Sequence, residues 1–125
     1  MMENPVVRIL LVDDDGKFRG VFAKFFARYP GFEIHEAANG QEGLYKARDI
    51  LPDLILSDYD MPVLDGMEFC RHIRNTPETA SAFFLFLTAE KDEKLKIRAF
   101  ECGADDYIEK STPPVILTSK IRAFL

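Results

Sequence analysis

Asp58 follows the apolar run Leu54-Ile55-Leu56-Ser57 and precedes the loop Tyr59-Asp60-Met61-Pro62. A short continuous apolar run bounded by turn residues reads as a buried strand of a parallel sheet. In open α/β sheets the chemistry lies beyond the carboxyl ends of the strands, so a carboxylate at that point is placed to react. Other polar residues end apolar runs in the same way. Asp13 and Asp14 follow the run 7–12, Thr88 follows 82–87, and Lys110 follows 106–108. On one sheet edge these make three carboxylates, a hydroxyl and an ammonium. Like charges that close repel unless something offsets them. Lys110 supplies one positive charge, and a hard divalent cation would supply the rest. Mg²⁺ fits the set, since it takes oxygen ligands and is commonly held by one or two carboxylates plus phosphate oxygens. The chemistry this implies is metal-assisted phosphoryl transfer, with an aspartate able to take the group as an acyl phosphate.

Five alternating strand and helix patterns must position these residues. The first helix carries Phe18, Val21, Phe22, Phe25, Phe26 and Tyr29 at spacings of three and four, and Pro30-Gly31 stops it. The segment 32–37 alternates as a second, less buried strand, and Asn39-Gly40 turns the chain into a helix with Leu44, Ala47 and Ile50. The third strand, 54–57, leads through a loop with Pro62 and Asp65-Gly66 to a helix over 67–74. A Phe-rich strand over 82–87 precedes a helix over 91–102 capped by Gly103. After a short fifth strand, Thr112 and Pro113 suit the N-cap and first turn of a last helix with the stripe Leu117, Ile121 and Phe124. This alternation predicts an α/β fold, a parallel sheet with helices on both faces.

The bounds agree. A chain of 125 residues is one domain, and 47% apolar with 30% charged is an ordinary globular composition. A net charge of −5 disfavours a nucleic-acid binder. The sequence carries no basic-then-apolar signal pattern and no apolar run of membrane length. Cys70 and Cys102 lie in separate helical patterns and read as free thiols of a reducing, cytoplasmic compartment. His35 and His72 have no nucleophile to pair with and read as surface residues.

The ordered motifs Ile9-Leu10-Leu11-Val12-Asp13-Asp14, Ala38-Asn39-Gly40 with Glu42, Pro52-Asp53 into Asp58, Met61-Pro62, Asp65-Gly66, Leu87-Thr88-Ala89, and Gly103-Ala104-Asp105-Asp106-Tyr107 with Lys110 span nearly the whole chain. In this the chain resembles the receiver domain of two-component response regulators. The resemblance implies a flavodoxin-like (βα)5 fold with strand order 2-1-3-4-5. It implies one receiver domain over 1–125, with no output domain in this chain. Asp58 would be the phosphoacceptor. Asp14 and Asp58, with the backbone carbonyl of Asp60, would bind Mg²⁺ directly, and Asp13 mostly through water. Thr88 would bond the phosphoryl oxygen, Lys110 would pair with it, and Tyr107 would be the aromatic whose position follows Thr88. The donor would be a sensor histidine kinase or a histidine phosphotransfer protein. The receiver of the signal would be a downstream protein or a covalently linked output domain. A homodimer through the fourth helix, fifth strand and last helix is compatible with the pattern. The implied role is a signalling switch that assists its own phosphorylation and slow dephosphorylation, not a turnover enzyme.

The chain departs from the family in two places. Ser111 follows Lys110 where a proline, often with a cis bond, is usual. Asp60 and Glu90 occupy positions that in the family tune phosphate lifetime. Two other readings compete. Asp58-Tyr59-Asp60 has the Asp-x-Asp spacing of haloacid-dehalogenase-like phosphotransferases, which place it after their first strand. A phosphate-independent receiver-like binding module is the other. Residue by residue there are plainer roles: Asp13 and Asp14 as caps of the first helix, Tyr107 as an edge residue, and Phe100 as either core or partner surface.

Overall fold

The computed structural model describes residues 6–89 and 93–125. Its elements are β1 (Val7–Val12), α1 (Gly16–Phe26), β2 (Phe32–Ala37), α2 (Gly40–Ile50), β3 (Leu54–Ser57), α3 (Gly66–Asn75), β4 (Phe83–Thr88), α4 (Glu93–Glu101), β5 (Asp106–Glu109) and α5 (Pro114–Phe124). The five strands pair in parallel in the order β2-β1-β3-β4-β5. This is the doubly wound, flavodoxin-like arrangement: the parallel sheet is the one the alternation of patterns predicts, and the strand order is the one the resemblance implies.

Two-sided burial explains why the central strands read as unbroken apolar runs. Leu10, Val12, Ile55, Phe84 and Phe86 point to one face, where Ala47 of α2, Phe69, Cys70 and Ile73 of α3, and Ala99 of α4 cover them. Ile9, Leu11, Leu54, Leu56, Leu85 and Leu87 point to the other, under Phe22 and Phe26 of α1 and Leu117 and Ile121 of α5. β2 is an edge strand, mostly half-buried, as its alternating pattern indicated.

Local chemistry departs from the sequence reading at several helix ends. α1 ends at Phe26, before Pro30-Gly31, so Tyr29 lies in the turn beyond it. Val21 is 64% exposed and does not belong to the buried stripe. The α5 cap is Pro113, without a side-chain bond, and Pro114 opens the helix. Thr112 is not the cap; its N–H closes a turn onto the Glu109 carbonyl at 3.0 Å. α4 starts at Glu93 in the described residues, and Glu90 and Lys91 lie outside them. At its other end Gly103 has φ 105°, the left-handed conformation that closes a helix. α4 buries only Ala99, leaving Ile97 57% and Phe100 44% exposed, so Phe100 is not core. Cys70 and Cys102 are free and buried. His72 is exposed, and His35 pairs with Glu33 at 2.8 Å.

Candidate functional site

The order of strands reverses between β1 and β3, and the crevice there is where ligands bind in this architecture. Each strand delivers its acid by continuing the ladder one residue past its end. The Asp58 N–H donates to the Val12 carbonyl at 2.9 Å, and the Asp13 N–H donates to the Ala37 carbonyl at 3.1 Å. Asp13 is 1% exposed and Asp58 8%. Asp14 is exposed at the mouth of the crevice. One carboxylate oxygen from each of the three lies within 4.8 Å of the others. The cap of α1 is Asp15, which accepts from the N–H groups of Lys17 and Phe18. Asp13 and Asp14 are therefore not consumed as that helix's caps.

β5 brings the cation. Asp105 exchanges bonds with Phe84, its N–H donating to the Phe84 carbonyl at 2.7 Å and its carboxylate accepting from the Phe84 N–H at 2.9 Å. That fixes the β4–β5 register at one end. At the other, the Lys110 N–H donates to the Thr88 carbonyl at 2.8 Å. The Lys110 ammonium then lies 2.7 Å from Asp13 and 3.4 Å from Asp58. The Lys110–Ser111 bond is trans. The lysine reaches the acid cluster without the family's proline after it.

The electrostatics are unbalanced. Burial and the neighbouring Asp13 charge raise the Asp58 carboxyl from 3.8 to about 6, although Lys110 and the Tyr59 N–H both favour its ionised form. Burial works against the Lys110 charge, but Asp13 and Asp58 outweigh it and hold its pKa above the usual lysine value. One ammonium does not neutralise this group of acids. Hard oxygen donors, close spacing and residual negative charge are what a small divalent cation requires, so the residues fit Mg²⁺.

Thr88 is 1% exposed at the end of β4. Tyr107 is half-buried on β5, its ring 6.4 Å from that of Phe86. Asp60 is exposed, two residues into the loop, and its carboxylate is not part of the described acid cluster. An Asp-x-Asp pair acting together is thus not what the geometry offers. The loop itself passes over Gly66, whose backbone N–H donates to the Tyr59 carbonyl at 2.8 Å. A Cβ on Gly66 would lie 2.5 Å from the Asp58 carbonyl oxygen and 2.7 Å from the Phe86 ring. The glycine, legible in sequence only as a turn signal, is required by close approach beneath the acceptor. Gly66→Ala is expected to cost about 1–3 kcal/mol, read as a lower urea midpoint; an unchanged midpoint would show that the loop moves aside freely. Sequence reasoning also missed two neighbours of the site. Arg19 donates to the Asp13 carbonyl, and the Lys110 ammonium sits 4.4 Å from the centroid of the Phe18 ring.

Similarity to known proteins agrees with this site. The family model for the response regulator receiver domain matches residues 9–122. The transcriptional regulatory protein ResD of Bacillus subtilis is 37% identical over 118 residues, covering 94% of this chain and 48% of ResD. AfsQ1 of Streptomyces coelicolor, also a transcriptional regulatory protein, is 37% identical over 117 residues, 94% of this chain and 50% of its own. The chain spans about half the length of the curated relatives it matches. Among solved structures, the chemotaxis response regulator CheY4 of Vibrio cholerae superposes with a TM-score of 0.88 at 30% identity, covering 96% of this chain and 99% of that one. The chain belongs to the response regulator receiver domain family.

Proposed function

We propose that Asp58 accepts a phosphoryl group, and that the cluster around it exists to make this reversible step control a partner surface. The observation that carries the proposal is the convergence of Asp13, Asp14 and Asp58 with Lys110 at the β1/β3 switch point. A carboxylate oxygen of Asp58 forms the new bond to phosphorus, and the donor imidazole leaves with the electron pair of the broken P–N bond. Asp13, Asp14, Asp58 and the backbone carbonyl of Asp60 would hold Mg²⁺. Bound there, the ion supplies the counter-charge that the phosphoryl oxygens and the acids lack. Lys110 opposes charge on the transferred group, and the Thr88 hydroxyl donates to one of its oxygens. Phosphorylation puts a group carrying about −1.5 to −2 charges, with three acceptor oxygens, where a singly charged carboxylate stood. Thr88 and Lys110 shift toward it, Tyr107 follows into the space beside Thr88, and α4 and β5 change what they present. A local charge thereby biases a bistable element.

The donor is a histidine kinase or a histidine phosphotransfer protein, and the setting is the cytoplasm. Among the described residues no helix is long and apolar enough to cross a membrane. The output passes through a downstream protein or a linked domain; the net charge of −5 gives this domain itself no call on nucleic acid. The domain acts as a switch, with hydrolysis of its own phosphate as its only turnover. Incubation with acetyl phosphate and Mg²⁺ should add one phosphoryl group to the intact mass of the wild type and none to Asp58→Asn. Unchanged mass in the wild type, or equal labelling of the variant, rejects the assignment. Sustained turnover of a generic phosphate ester would favour a phosphotransferase instead.

A further inference from the structure

We infer that Phe18 is a positioning residue for Lys110 in the phosphoryl-accepting site, an inference that rests on the function proposed above. The Lys110 ammonium makes three contacts of consequence: Asp13 at 2.7 Å, Asp58 at 3.4 Å, and the face of Phe18 at 4.4 Å from the ring centroid. A cation at that distance over an aromatic face is attracted by the ring quadrupole. The three contacts differ in what happens when the site is used. Asp13 and Asp58 are the groups for which a divalent cation competes, and Asp58 changes chemically when it takes the phosphoryl group. The Phe18 ring is altered by neither event. It is the contact that can keep the ammonium at the rim of the crevice while its carboxylate partners are engaged elsewhere.

The ring is itself held. Phe18 stacks on Phe22 with centroids 4.5 Å apart, and Phe22 on Phe26 at 5.8 Å, so a ladder of rings runs down α1 into the core. Its backbone is pinned at the first turn, where Asp15 accepts from the Phe18 N–H at 3.2 Å. α1 thus carries an aromatic face from the packed interior to the edge of the acid cluster. The trans Lys110–Ser111 bond makes this more pointed. The Lys110 backbone N–H is tied to the Thr88 carbonyl, and its side chain is aimed by what it touches.

The test compares Phe18→Leu, which keeps an apolar side chain, with Phe18→Tyr, which keeps the ring. Phosphate uptake from acetyl phosphate with Mg²⁺ is followed by intact mass, each alone and in a Lys110→Met background. The expected result is uptake about fivefold slower in Phe18→Leu, near wild type in Phe18→Tyr, and no further loss from Phe18→Leu when Lys110 is already Met. Placement is read separately by NMR with Mg²⁺ bound: the Lys110 ε-methylene protons should be shifted upfield by the ring, and the shift should vanish in Phe18→Leu. Equal rates in wild type and Phe18→Leu, or equal slowing in Phe18→Leu and Phe18→Tyr, would overturn the inference. So would an unshifted ε-methylene in the wild type. A wild type that takes no phosphate overturns the functional reading itself and is distinguishable from all of these.

Discussion

Replacing Asp58 by Asn is expected to make the metal-free protein more stable at neutral pH while abolishing phosphate uptake. The carboxyl of Asp58 is raised from 3.8 to about 6, chiefly by burial and then by Asp13. A raised carboxyl pKa means that the folded state binds its proton more tightly than the unfolded chain does. Its contribution is therefore favourable below pH 3.8 and is lost as pH rises through about 6. At pH 7 the ionised group costs up to about 3 kcal/mol. Asn carries no charge to desolvate, and its amide oxygen can still accept from the Tyr59 N–H, as Asp58 does at 2.8 Å. The melting temperature in EDTA should rise by roughly 10 °C, and the fall in stability between about pH 4 and 6 should flatten. Mg²⁺ should stabilise the wild type far more than the variant. Equal melting temperatures in EDTA would show that the acid cluster is not strained.

Lys110→Met is expected to do the reverse. It removes the ammonium that, among the described residues, pairs with both Asp13 and Asp58, and leaves a 1% exposed carboxylate facing a second acid. Breaking a buried ion pair by deleting one partner costs about 3–5 kcal/mol. Lys110 is partly solvated, with 19% of its side chain exposed, and Asp58 can relieve part of the repulsion by holding its proton to higher pH. The loss should thus fall toward the lower end of that range, near 3 kcal/mol. It should also grow as pH rises above neutrality, where that proton is lost. Urea unfolding with and without Mg²⁺ measures it. The gap to wild type should be wide in EDTA and narrower with metal. A variant as stable as wild type in EDTA, or a gap that Mg²⁺ leaves unchanged, would contradict the shared electrostatics of both predictions.

What was legible in the sequence follows from what is local. The runs ending at Asp13, Asp58 and Thr88 are apolar because both sides of a central parallel strand are covered, and burial of Ile9 through Val12 and Leu54 through Ser57 bears this out. Strand ends therefore gave the acid cluster and Lys110 by position alone. Side-chain direction at element ends was not legible. Thr112 has the chemistry of a cap, yet the chain leaves β5 through a turn that places Pro113 there. Val21 has the spacing of a core residue but sits on the outer side of α1, because periodicity does not say how wide an arc the sheet covers. The Phe18–Lys110 contact joins residues far apart in sequence, and no spacing rule reaches it.

The function of this domain depends on which atom receives phosphorus. Borohydride reduces an aspartyl phosphate to homoserine, which marks the residue permanently. After treatment with acetyl phosphate and Mg²⁺, then borohydride, peptide sequencing by mass spectrometry should find homoserine at position 58 and nowhere else, and none when Mg²⁺ is withheld. Homoserine at another acid, or its absence from a fully treated sample, would contradict the assignment of Asp58.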